Sequence, residues 1–82
     1  MILTMKSHPH VERIATDGPY RLAILWDKHE GYYYSILQMF PDSDDDPFEV
    51  AKSKHNYATS EAVPKLWKAG MRRLKQLNKE RL

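Results

Sequence analysis

Cysteine is absent from this chain of 82 residues, which removes disulfide frameworks, thiolate metal centres and thiol nucleophiles together. A cysteine-free chain suits a reducing compartment, so a cytoplasmic location is the expectation. Long apolar runs are missing as well. The longest stretch without a charge, residues 31–41, falls far short of the roughly 20 residues that a bilayer helix needs. The opening MILTMKSHPH has no apolar centre of the secretory-leader kind, and no membrane partner is expected. Glycine is scarce, at 3 residues. No glycine-rich phosphate loop, nucleophile elbow or pair of catalytic carboxylates can be read. The chain is therefore expected not to be an enzyme and to hold no cofactor.

Metal patterns are present only in fragments. Asp42, Asp44 and Asp46 have the opening spacing of a calcium loop, but Pro47 stands where the turn needs glycine and Ser53 where it needs glutamate. His8 and His10 flank Pro9, with the remaining histidines remote in sequence and no thiolate to join them. His55 beside Lys52 and Lys54 has the residue types of a general base with a phosphate-stabilising lysine. That pattern is too common to define a ribonuclease.

What the chain does contain is enough to fold. A hydrophobic fraction of 41% with 2 Trp, 5 Tyr and 2 Phe argues against wholesale disorder, because each buried aromatic removes about 150–250 Å² from water. At this length the expectation is one domain over residues 1–82, with room for a single core layer between a sheet and a helix.

Residues 20–26 alternate, with Tyr20, Leu22, Ile24 and Trp26 on one side and Arg21, Ala23 and Leu25 on the other. This period of two predicts a half-buried strand. Residues 27–31, DKHEG, read as a polar hairpin connection, and residues 32–40 as the return strand. Pairing Trp26 with Tyr32, Ile24 with Tyr34 and Leu22 with Ile36 gives one continuous apolar face. Residues 41–47, PDSDDDP, predict a solvated acidic loop. A third strand over 48–53 adds Phe48 and Val50 to the same face.

The first 19 residues are less regular. Residues 1–5 can form a strand and residues 11–15 either a strand or a short helix, ahead of a turn at Asp17-Gly18-Pro19. The expected fold is α+β: an antiparallel three-stranded sheet over residues 20–54, open to a fourth N-terminal strand, with one amphipathic helix over residues 60–82 on one face.

That helix carries the clearest signal. Thr59 or Ser60 can cap it and Glu61 suits its positive end. Val63, Leu66, Trp67, Gly70, Leu74 and Leu77 share one face at helical spacing. Gly70 costs about 1 kcal/mol relative to Ala, a cost consistent with close approach to the sheet. Residues 64–82 hold seven bases and one acid, Glu80, so the tail is strongly basic while the rest of the chain is acidic.

Lys65, Lys68, Arg72, Lys75 and Lys79 fall on one stripe. Like charges so spaced repel by about 0.2–0.5 kcal/mol per pair, and Glu61 is placed to offset Lys65. A solvated face accounts for Lys79 and Arg81 near the negative helix end, but not for Lys65 and Lys68 near the positive one. The stripe suits an anionic partner, a nucleic acid or an acidic protein surface. Lys52 and Lys54 are expected to extend it, together with His55. Sequence-specific base reading is not expected, since only Gln76 and Asn78 offer amides there.

Leu25, Tyr33, Leu37 and Met39 make the opposite sheet face apolar enough to mark an interface. The N-terminal segment, a second copy in a homodimer, or a foreign protein are the three ways to cover it. Tyr33 there is also a candidate for stacking a base.

The hairpin sequence DKHEGYYYSI, residues 27–36, followed by Thr59-Ser60-Glu61-Ala62 opening a helix, resembles HicB-type antitoxin domains. The resemblance spans about half the chain. It implies a β-β-β-α order and, by analogy, a small protein that binds and blocks a partner. The function expected from the residues is a non-enzymatic regulatory or adaptor module that contacts a nucleic-acid backbone through the basic helix. The alternative is a protein-binding inhibitor or antitoxin-like module that uses the open sheet face or the acidic loop.

Overall fold

The computed structural model describes residues 10–81, with side chains through residue 80. Four strands, β1 (His10–Asp17), β2 (Tyr20–Asp27), β3 (Gly31–Gln38) and β4 (Phe48–Lys52), precede a short 3-10 turn at Ser60–Ala62 and the helix α1 (Val63–Arg81). The strands form one antiparallel sheet in the order β1-β2-β3-β4. The α+β architecture is as the sequence predicts, with the N-terminal segment supplying a fourth strand. A two-layer molecule results, 39 × 36 × 17 Å along its principal axes.

The central hairpin has the register expected from alternation: Trp26 faces Tyr32, Ile24 faces Tyr34 and Leu22 faces Ile36. Its connection is tightened by Asp27, whose Oδ1 accepts from the amides of His29 at 2.7 Å and Glu30 at 3.2 Å. Gly31 closes the loop at φ 83°, in the left-handed region that a side chain makes costly. A Cβ there would also collide with the Tyr57 carbonyl. That contact matters because Tyr57 and Tyr32 exchange backbone hydrogen bonds of 2.6 and 2.9 Å, which tie the segment after β4 to the start of β3.

Both outer strands are bulged. In β1 the register slips between Val11 and Arg13, so Val11 and Ile14 share one face and Arg13 takes the other. In β4 it slips between the partners of Ile36 and Leu37, and Val50 becomes the extra residue. Val50 and Ala51 both pack toward the helix side. Phe48, expected in the core, is 52% exposed and instead stacks on Phe40 with ring centroids 5.7 Å apart. It lies at the strand's outer end, beyond the bulge.

The helix begins without the expected side-chain cap: Thr59 occupies the N-cap but its hydroxyl makes no capping hydrogen bond. The 3-10 turn at Ser60–Ala62 leads into α1 instead, and the Ala62 amide donates to the Thr59 carbonyl at 3.2 Å. Pro64 sits in the first turn, where its missing N–H costs nothing. The helix presses Leu66 and Leu74 onto Leu22, Ile24 and Ile36 in two adjoining clusters, bridged by Tyr34 and Trp67. Leu22, Ile24, Ile36 and Leu74 are fully buried, each contributing about 1.5–3 kcal/mol by leaving water. A Cβ on Gly70 would lie 2.6 Å from Leu22 Cδ1. Close helix–sheet contact is therefore the reason for glycine in mid-helix, as expected.

The other sheet face has no second layer among the described residues. Of the N-terminal segment, residues 10–17 pair along the sheet edge and do not cross this face; the expected strand over residues 1–5 lies outside the described residues.

Candidate functional site

Two surfaces were marked by the sequence, and the structure puts them on opposite sides of the sheet. On the helix side, Lys65, Lys68, Arg72, Lys75 and Lys79 all stand exposed on α1. Among the described residues the ion pairs are His10–Glu12 and Lys52–Glu30. Neither involves the helix, so the stripe has no ion-pair partner among the described residues, and Glu61 forms no ion pair with Lys65. The two amides on this helix are engaged elsewhere. Gln76 accepts from Arg73 at 3.1 Å and donates to Glu80 at 3.1 Å. Asn78 donates to the carbonyls of Asp17 at 3.1 Å and Leu74 at 3.3 Å.

The stripe does not end at the helix. Lys54 and His55 follow β4 and face the first half of α1 across a cleft of about 370 Å³, lined also by Tyr34, Tyr57, Lys65 and Arg72. Local hydrogen bonds fix this wall. Ser53 Oγ accepts from the Tyr34 amide at 3.3 Å and donates to the His55 carbonyl at 3.0 Å. The Ser53 amide donates to the Tyr34 carbonyl at 3.0 Å. Within the cleft the Lys65 ammonium rests 5.3 Å from the centroid of the Tyr57 ring, and His55 meets the same ring edge-on at 6.5 Å. Three permanent cations and two tyrosines thus converge where a phosphate and a flat group can be held side by side.

Lys52 does not belong to this surface, contrary to expectation. The bulge at Val50 shifts the alternation by one, so that Lys52 pairs with Ser35 and points to the open face. There its ammonium lies 5.1 Å from the centroid of Tyr33 and 3.9 Å from Glu30 Oε1. Arg13, which the sequence did not single out, is brought to the helix side by its own bulge and lies 4.0 Å over the Trp67 ring. It extends the positive surface across the β1 flank.

The open face carries Leu25 and Leu37, both half-buried, Tyr33, and Val11 and Ile14, which are 45% and 51% exposed. Met39 is set apart, lining a separate cavity of about 300 Å³ with Arg21, Phe40 and Asp45. Tyr33 is buried, which limits it as a stacking platform. Burial, then the carboxylates of Glu30, Asp27 and Glu49, raise its phenol above the ordinary tyrosine pKa, so it stays neutral. Glu49 accepts from Ser35 Oγ at 2.6 Å on the same face, which satisfies a buried hydroxyl.

The acidic loop between β3 and β4 lies at the far end of the sheet from the cleft, with Asp45 beside Pro19 and Phe40. No group of three or more metal-capable side chains occurs among the described residues; His8 falls outside them. No helix among the described residues is long and apolar enough to cross a membrane.

The geometry defines a small α+β domain with a basic helix face, an adjoining cleft and a sheet face that no second layer covers among the described residues. No protein-family model matches the chain, and no curated protein or solved structure matches it either. The likeness to HicB-type domains rests on the hairpin and helix-start residues alone.

Proposed function

We propose that this chain is a non-enzymatic regulatory or adaptor module that binds a nucleic-acid backbone through the outer face of α1 and the cleft beside it. The observation that supports this reading is the uncompensated charge: five exposed bases on one helix stripe, with no acidic partner among the described residues. Lys54 and Arg13 widen that surface on either side of the helix. Phosphates are the chemical match, because several fixed positive charges on one convex face suit a repeating anion. The engagement of Gln76 and Asn78 within the fold fits backbone contact without base reading.

The test is a salt titration of binding to generic DNA and RNA oligonucleotides. About four or five phosphate contacts predict a log–log slope near −4. Reversal of Lys68, Arg72 and Lys75 to Glu is expected to abolish binding. No binding at low salt, or binding untouched by the reversal, removes this function.

A second reading is a protein-binding inhibitor or antitoxin-like module, supported by the exposed Val11 and Ile14 beside Leu25 and Leu37 on the bare sheet face. Retention of partner binding by a Leu37→Lys variant would count against it.

A further inference from the structure

The cleft and the helix stripe make different demands on a nucleic acid. The stripe is convex and needs only phosphates, which a duplex supplies as well as a single strand does. The cleft, at about 370 Å³, is at the small end of ligand pockets: room for one flat ring and a phosphate, but not for a base pair. Its walls divide accordingly. Lys54, Lys65 and Arg72 supply cations, while Tyr34, Tyr57 and Leu66 supply flat or apolar surface.

Lys65 links the two halves. Its ammonium has no acidic partner among the described residues and rests over the Tyr57 ring, a weak cation–π attachment for so exposed a lysine. A phosphate at the cleft mouth is a stronger partner for that ammonium. Moving there, Lys65 vacates the face of Tyr57, and the ring becomes a platform of the kind on which unpaired bases stack. The paired backbone bonds between Tyr57 and Tyr32 fix the main chain and packing against the Ile24, Ala62 and Leu66 cluster steadies the ring, so the platform is built before the ligand arrives.

We infer that this cleft takes one unpaired nucleotide, its phosphate on Lys54, Lys65 and Arg72 and its base on Tyr57, and that single-stranded nucleic acid is the preferred ligand. This rests on the nucleic-acid reading above. A duplex keeps its bases inside the stack and reaches the stripe alone. Base identity is not selected, because any base offers a flat face.

The experiment compares three fluorescently labelled DNA ligands with the same number of phosphates per strand: a single strand, the matching duplex and an abasic strand. Binding to the intact chain is followed by anisotropy at fixed salt. The single strand is expected to bind about fivefold or more tightly than the abasic strand. The variant Tyr57→Leu should erase that difference, while Tyr57→Phe keeps it. Thermal melts accompany each variant, because Tyr57 also packs against the core.

Equal affinity of the wild-type chain for the abasic and the ordinary strand overturns the inference, whatever happens to the variants. So does a preference that survives in folded Tyr57→Leu. Equal binding of all three ligands would leave backbone contact standing and remove only the cleft's role. Binding of none would remove both.

Discussion

The two faces of one sheet are treated differently by this chain. On the α1 side, Leu22, Ile24 and Ile36 lose all contact with water, and the helix comes so close to β2 that a Cβ at position 70 would press into the Leu22 side chain. On the other side the same strands leave Val11 and Ile14 about half exposed. Among the described residues there is one α-helix, and it closes one interior. Folding energy is therefore concentrated on the covered side, and the bare side can change without unfolding the domain. The basic stripe belongs to the outer surface of the covering helix, so its charges cost the core nothing.

Three substitutions probe that contrast. Leu74→Ala, which empties a fully buried site beneath the helix, should destabilise the protein by about 2–5 kcal/mol. That is a large share of the roughly 4–12 kcal/mol expected for a domain of this size. Urea denaturation should then show a large fraction unfolded before denaturant is added, or a much lower midpoint. Gly70→Ala comes next. Pushing a methyl into Leu22 costs about 1–3 kcal/mol of overpacking, and better helix propensity returns about 1 kcal/mol. A net loss near 1 kcal/mol is expected in the same assay, whereas a gain would mean that α1 rides further from the sheet. The smallest effect belongs to Ile14→Lys on the bare face, expected within about 0.5 kcal/mol of wild type. A loss of several times that amount would show that something covers this face in solution.

The legible parts of the sequence were those with unbroken alternation. β2 and β3 keep period two throughout, and their register follows from pairing Trp26 with Tyr32. The inward row of α1 was equally readable, from Leu66 through Gly70 to Leu74. β1 was not, because its bulge at Glu12 puts Val11 and Ile14 on the same side at a spacing of three. That spacing reads as helix as easily as strand. The facing of Lys52 is illegible for a related reason, since nothing in FEVAK announces that Val50 is the extra residue, whereas Phe48 keeps the face of its partner Gln38 but stays exposed against Phe40.

The candidate site shows the same division. The helix bases are legible as a stripe, and Lys54 and His55 are legible beside them. Their convergence with Tyr34 and Tyr57 depends on the bridge from Tyr57 back to Tyr32. That link spans the acidic loop and all of β4, and has no local signature. Gly31 was its nearest trace in the sequence, because it is the residue that makes room for the Tyr57 carbonyl.

The extra residue at Val50 works as a parity switch. Along a strand, odd and even positions serve different surfaces, so one inserted residue reassigns every side chain beyond it. Here it sends Lys52 to the bare face and brings Ala51 beneath the helix. A lineage that lost this single residue could keep the sheet and helix intact, yet move a positive charge from one side of the molecule to the other. The outer strand of this fold is thus a place where length variation, rather than substitution, can redistribute charge between two surfaces.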